Sequence, residues 1–203
     1  MSDNIDEQTR LLAATAYGEA GIKDVENEIG AIAWAIANRC RLWNNCTVKE
    51  ILTKDPHYAY AAANRVERFR LLMDASPEKI ATSSGMSLAL IYAKKALSNT
   101  GTDLANGGLW WDGNDFGTNP DHDKRRKGFR YGSPAHNIFS VPENPIACIT
   151  YWKVINKKTG QEVNSKERGR YDHVYISTAA YGESIFWKYA PEYIKATGAK
   201  EYR

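Results

Sequence analysis

From position 5 the apolar residues fall at helical spacing. Leu11, Leu12, Thr15 and Ala16 share one face of a segment spanning residues 5–20, with Asp6 and Glu7 in the first turn, where the helix dipole favours carboxylates. Gly18 and Gly21 bracket its end. A second helix is predicted over residues 26–40: Ile29, Ile32, Ala33, Ile36, Ala37 and Cys40 recur at spacings of three and four, and Ala31 and Ala35 let a neighbour approach closely. Thr47 with Glu50 forms the pattern of a capping box that opens a short helix through Leu52. Ser76-Pro77 reads as a cap followed by proline at the first helical position, and Met86, Leu90, Ala93 and Leu97 mark a helix over residues 85–98.

Beyond Asn99 the periodicity stops. Residues 100–145 are rich in Gly, Asn, Asp, Pro and aromatics and read as long functional loops. Residues 146–155 are apolar and β-branched, a strand; Lys158-Thr159-Gly160 turns the chain back, and residues 173–181 supply a second strand. Residues 184–197 are predicted to form a closing helix. The expected architecture is α+β, mainly helical, with a small antiparallel β-hairpin. The length of 203 residues fits one domain in three parts: helices over 1–98, loops over 99–145, and hairpin with closing helix over 146–203.

Composition narrows the function classes. Lys+Arg number 27 against 24 Asp+Glu, and the resulting +3 is too mild to imply nucleic acid by itself. A hydrophobic share of 43% with 25% charged residues argues against wholesale disorder. Six Trp and 12 Tyr suit either a large core or a surface that stacks on flat ligands. Three cysteines exclude a disulfide-rich scaffold, and no CxxC pair offers a zinc ribbon. Cys40 and Cys46 are spaced either to stay reduced or to close a short loop, while Cys148 stands alone. The opening MSDNIDEQTR has no basic region leading into an apolar run, and no stretch approaches 18 apolar residues. A soluble protein without a membrane span is expected, and any action outside the cytoplasm would need a route other than a signal peptide.

The sharpest chemical feature is Tyr17-Gly18-Glu19-Ala20 at the end of the first helix. A carboxylate beside an apolar helix pair, at a helix C-terminus, has its charged form disfavoured by burial and dipole alike, and so suits a general acid. Glycoside cleavage normally asks for a second carboxylate; Glu28, nine residues on, and Asp112 and Asp115 in the aromatic loop are the candidates. Trp110-Trp111 and Phe116 beside Asp112, Asn114 and Asp115 would suit sugars, with aromatic faces on the C–H faces and polar groups on the hydroxyls. Adjacent Trp residues on a strand point to opposite faces, so one core and one surface Trp is the alternative. Tyr58 and Tyr60 fit either a cleft wall or packing on a helix surface. Tyr181 and Ser184, at a strand-to-helix turn, read locally as turn and cap.

LLAATAYGEAG, a short gap, then IGAIAWAIANRC, ending in Asn38-Arg39, resembles the catalytic segment of the SleB-type cell-wall hydrolases. The family's usual Gly-Ala pair after the third helix is Gly107-Gly108 here. The resemblance implies a lysozyme-like fold and cleavage of MurNAc–GlcNAc bonds in peptidoglycan glycan strands, with Glu19 at the position of the essential acid and no cofactor. It also favours a cleft role for Tyr17, Tyr181 and Ser184. NGGLWWDGNDF and AAYGESIFWK are similar to lysozyme-like domains of secreted antibacterial effectors, including type VI cargo. That similarity implies action in the periplasm of target bacteria and an immunity protein as partner. Hydrolysis by water and internal trapping by a substrate hydroxyl both remain open.

Two other classes compete. Asp121-His122-Asp123, the run Lys124, Arg125, Arg126, Lys127 and Arg130, then His136-Asn137, would fit a metal-dependent nuclease, although the spacing matches no specific metal motif. A non-catalytic carbohydrate-binding module would need the aromatic loop but not Glu19.

Overall fold

The computed structural model describes residues 5–119 and 127–203. Its centre is α2 (Glu26–Leu42), buried without a break from Glu28 to Ala37. Such a helix needs apolar or small residues on every side, which Ile29-Gly30-Ala31-Ile32-Ala33-Trp34 provides. α1 (Glu7–Glu19) and α7 (Ser84–Ser98) pack against α2 and against each other.

The caps follow local chemistry. Asp6 accepts from the Thr9 N–H at 2.9 Å to open α1. Thr47 and Glu50 form the complete capping box of α3 (Val48–Lys54). Ser76 caps α6 (Pro77–Thr82), with Pro77 at its start. Two short helices, α4 (Tyr60–Ala63) and α5 (Glu67–Met73), were not foreseen; a turn or two is too short to display a period. Both pack against α1.

The closing segment differs from expectation. Residues 184–189 are not helical: they form a strand, β6 (Ser184–Tyr189), and only α8 (Pro191–Thr197) is helix. β6 lies inside a four-stranded sheet of order β1 (Trp110–Asp112), β6, β5 (Tyr175–Tyr181), β2 (Phe129–Arg130). The β1–β6 and β6–β5 pairs are antiparallel and β2 runs parallel to β5. Phe186 faces the helical core, while Ile185 and Trp187 face a second core built with Phe116, Phe129, Val174 and Tyr175. A strand buried on both faces loses its polar alternation, so its apolar run reads equally well as buried helix.

The hairpin also has a different second strand. β3 (Cys148–Ile155) pairs antiparallel with β4 (Glu162–Tyr171), not with residues 173–181. β4 is polar and largely exposed, so no hydrophobic pattern announces it. α8 packs on β4. The fold is therefore mixed α+β and mainly helical, with its small sheets in the second half of the chain. No helix among the described residues is long and apolar enough to cross a membrane. Cys40, Cys46 and Cys148 are free thiols, and burial pushes the Cys40 thiol up to about 12.

Candidate active site

Glu19 ends α1 at the floor of a cavity of about 610 Å³. Gly18 makes the site possible: a Cβ there would lie 2.8 Å from the Cβ of Ala61, so only glycine lets α4 come so close. That approach delivers the Ala61 N–H to Glu19 Oε1 at 2.5 Å. At the other carboxyl oxygen, Trp111 on β1 donates its indole N–H to Glu19 Oε2 at 3.2 Å. Burial is the largest influence on this carboxyl and raises its pKa above the usual glutamate range; the two N–H donors act in the opposite sense without cancelling it.

Trp111 is itself positioned. Its ring meets that of Tyr58 edge-on, with centroids 5.1 Å apart, and Tyr58 donates its hydroxyl to the Leu109 carbonyl at 2.8 Å, just ahead of β1. The Arg39 guanidinium lies 4.3 Å over the Tyr58 ring and pairs with Asp55 at 2.8 Å. Asn38 donates to Asp103 Oδ2 at 2.9 Å. Neither Asn38 nor Arg39 lines the cavity; Arg39 supports its wall through Tyr58, and Asn38 also donates to the Gly108 carbonyl at 3.3 Å, ahead of β1.

Glu28 is buried in the same region, with 1% of its surface exposed. Its Oε1 accepts from the Glu183 N–H at 2.9 Å and the Ser184 hydroxyl at 2.8 Å, and its Oε2 from the Gly21 N–H at 3.2 Å. Three donors from its own chain occupy this carboxylate, so it joins the loop after α1 to the turn between β5 and β6. The turn is a two-residue Gly182-Glu183 connection with Gly182 at φ +57°.

The structure brings Glu19, Glu28, Trp111 and Ser184 to one cavity wall. It places the other expected site residues elsewhere. Tyr17 is a core residue, its ring covered by the Arg68 guanidinium at 3.8 Å. Trp110 points away from Trp111, onto Tyr175 and Tyr189. Asp112 is buried within β1, Asp115 is exposed in the short turn Asn114–Gly117, and Tyr181 packs beside Phe186. None of these five lines the cavity.

Residues that the sequence reading did not single out line it instead. Glu183 projects from the β5–β6 turn. Arg68 donates to the Tyr17 carbonyl at 2.9 Å and pairs with Asp24 at 2.7 Å. At the rim Ile22, exposed by 83%, joins Tyr60, exposed by 70%, which the sequence had already offered as a cleft-wall candidate. One signal for Glu183 was present: the quartet Ala-Tyr-Gly-Glu occurs at residues 16–19 and again at 180–183.

Asp121 and His122 lie outside the described residues. His136 Nδ1 is 2.8 Å from Ser177 Oγ, and burial lowers its pKa. Among the described residues no group of three or more His, Cys, Asp or Glu side chains is arranged to hold a metal ion. A second depression of about 680 Å³, between α2, β6 and α8, is lined by Arg41, Lys188 and Lys195 with Glu201 as its one acid. Comparison of the chain with protein-family models, with curated proteins and with solved structures returned no match.

Proposed function

We propose that this chain is a lysozyme-like enzyme that cleaves MurNAc–GlcNAc bonds in peptidoglycan glycan strands, with Glu19 as general acid. The observation that carries the reading is a half-buried carboxyl with a raised pKa, fixed by two N–H donors at the floor of an open cavity. A general acid must hold its proton at the working pH and must meet its substrate in a fixed orientation. Burial favours the protonated form of Glu19, and its two donors fix its orientation. It would protonate the glycosidic oxygen as the C1–O bond breaks, the bonding pair leaving with that oxygen. Positive charge then develops on the ring, and the carboxylate left behind stabilises it. Trp111 and the exposed Tyr60 offer ring faces for sugars at the same cavity.

The resemblance to antibacterial effectors extends the proposal: the enzyme acts in the periplasm of a target bacterium, and the producing cell holds an immunity protein against it. The experiment is digestion of purified peptidoglycan, with the soluble products resolved by mass spectrometry. Wild-type protein is expected to release muropeptides, and Glu19→Gln to release none while keeping its fold. Release by Glu19→Gln at more than about a tenth of the wild-type rate would overturn the assignment. Glycan binding with no release by either protein would mark a binding module, and nuclease activity spared by Glu19→Gln would favour the metal-dependent alternative.

A further inference from the structure

We infer that Glu183 is the second carboxylate of this cavity, the base that activates water for hydrolysis, an inference that rests on the glycan-cleaving reading above. Glu28, the candidate in the sequence, is occupied by the Gly21 and Glu183 N–H groups and the Ser184 hydroxyl, with 1% of its surface exposed. What those bonds accomplish is placement. They tie the backbone two residues beyond Glu19 to the backbone of Glu183, so a buried carboxylate sets the position of an exposed one.

The side chain follows that placement. A Cβ added at Gly21 would lie 3.4 Å from Glu183 Oε2, so this carboxylate reaches over the loop that leaves Glu19. Glu183 is exposed, whereas Glu19 is half-buried and held by two donors. Two carboxyls in one cavity with opposed environments divide the labour of acid and base. Glu67 also lines the cavity, from the first turn of α5, but no buried bond connects its backbone to the Glu19 loop.

The step balances. Glu19 gives its proton to the glycosidic oxygen as the C1–O bond breaks. A water oxygen bonds to C1 while its proton passes to the Glu183 carboxylate. One water is consumed, one sugar leaves with a free hydroxyl and the other with a reducing end, and proton exchange with solvent restores both carboxyls.

The test compares wild type, Glu19→Gln, Glu183→Gln and Glu183→Ala on purified glycan strands in water enriched in oxygen-18. Wild-type products are expected to carry the label at the new reducing end. Glu183→Gln is expected to lower kcat by about 100-fold or more, with KM little changed. The thermal midpoint should stay near wild type, because the main-chain N–H of Glu183, and not its carboxylate, meets Glu28. Azide should restore turnover to Glu183→Ala and yield a glycosyl azide, which a merely structural role would not produce. Unlabelled anhydro ends, or near-wild-type kcat in Glu183→Gln beside an inactive Glu19→Gln, would overturn this inference and leave Glu19 as the acid. A wild-type protein that releases no glycan would overturn both.

Discussion

Glu28 Oε1 accepts the Glu183 N–H at 2.9 Å across a sequence separation of 155 residues. The bond belongs to a buried cluster in which a single carboxylate meets Gly21, Glu183 and Ser184. Removing the carboxylate leaves all three donors without that acceptor, and the Ser184 hydroxyl among them is buried. Glu28→Ala is therefore expected to lose about 3 kcal/mol of stability, within the range for unsatisfied buried groups. Glu28→Gln keeps an acceptor oxygen for Glu183 and Ser184 and should lose about half of that. Urea unfolding midpoints measure both. A Glu28→Ala protein as stable as wild type but inactive would show that Glu28 acts on substrate and not as a brace.

Glu19 predicts the slope of stability against pH. Its folded-state pKa lies above that of the unfolded chain, and burial is the main cause. Between the two values the folded protein holds a proton that the unfolded chain has released, so stability falls as pH rises from about 4.3 through the folded-state value. Glu19→Gln removes this contribution. The difference between wild-type and variant unfolding free energies should decline with rising pH across that window and stay flat above it. A constant difference from pH 3 to pH 8 would contradict the raised pKa.

Trp111→Phe keeps a ring against Tyr58 but deletes the N–H that favours ionised Glu19. The Glu19 pKa should then rise further. If Glu19 works as an acid, the alkaline limb of kcat/KM moves to higher pH in this variant. A pH–rate profile checks the sign, and a shift to lower pH would refute the role assigned to the indole.

The two adjacent tryptophans should separate cleanly. Trp111→Ala opens the cavity wall and is expected to weaken glycan binding by about 1–3 kcal/mol. Trp110→Ala instead removes a ring packed on Tyr175 and Tyr189, so it should lose about 3 kcal/mol of stability with little change in binding. Fluorescence titration with chitooligosaccharides, run beside thermal unfolding, distinguishes them. Equal effects of the two variants on binding would show that both rings touch sugar.

Where the fold was legible, the signal was local. Apolar spacing marks α1 and α2, and Thr47 with Glu50, and Ser76, announce helix starts because a cap is chemistry within three residues; Asp6, expected in the first turn of α1, is instead its cap. β6 was hidden by its own burial: Ile185, Phe186 and Trp187 alternate between two cores, yet all three are apolar. β4 was hidden for the opposite reason, since solvent surrounds it. At the site, Glu19 could be singled out from its helix end, but its donors come from α4 and β1, which no neighbouring residue implies. In the sequence Glu28 is a favourable carboxylate in the first turn of α2; only the distant Gly182-Glu183 turn makes it a buried brace. Contacts of such separation leave no trace in a local window.

The Gly21–Glu28–Glu183 clasp also carries a temporal consequence. As the polypeptide is synthesised, α1 and α2 emerge early, whereas the turn that completes the clasp follows more than a hundred residues later. Until then the Glu28 carboxylate stays hydrated and the cavity lacks one wall. Local helical contacts form fast, while closing a loop that spans most of the chain is slow. The nascent N-terminal half therefore holds Glu19 without the pocket around it. The cavity around Glu19 is completed only when the last strand pair has docked.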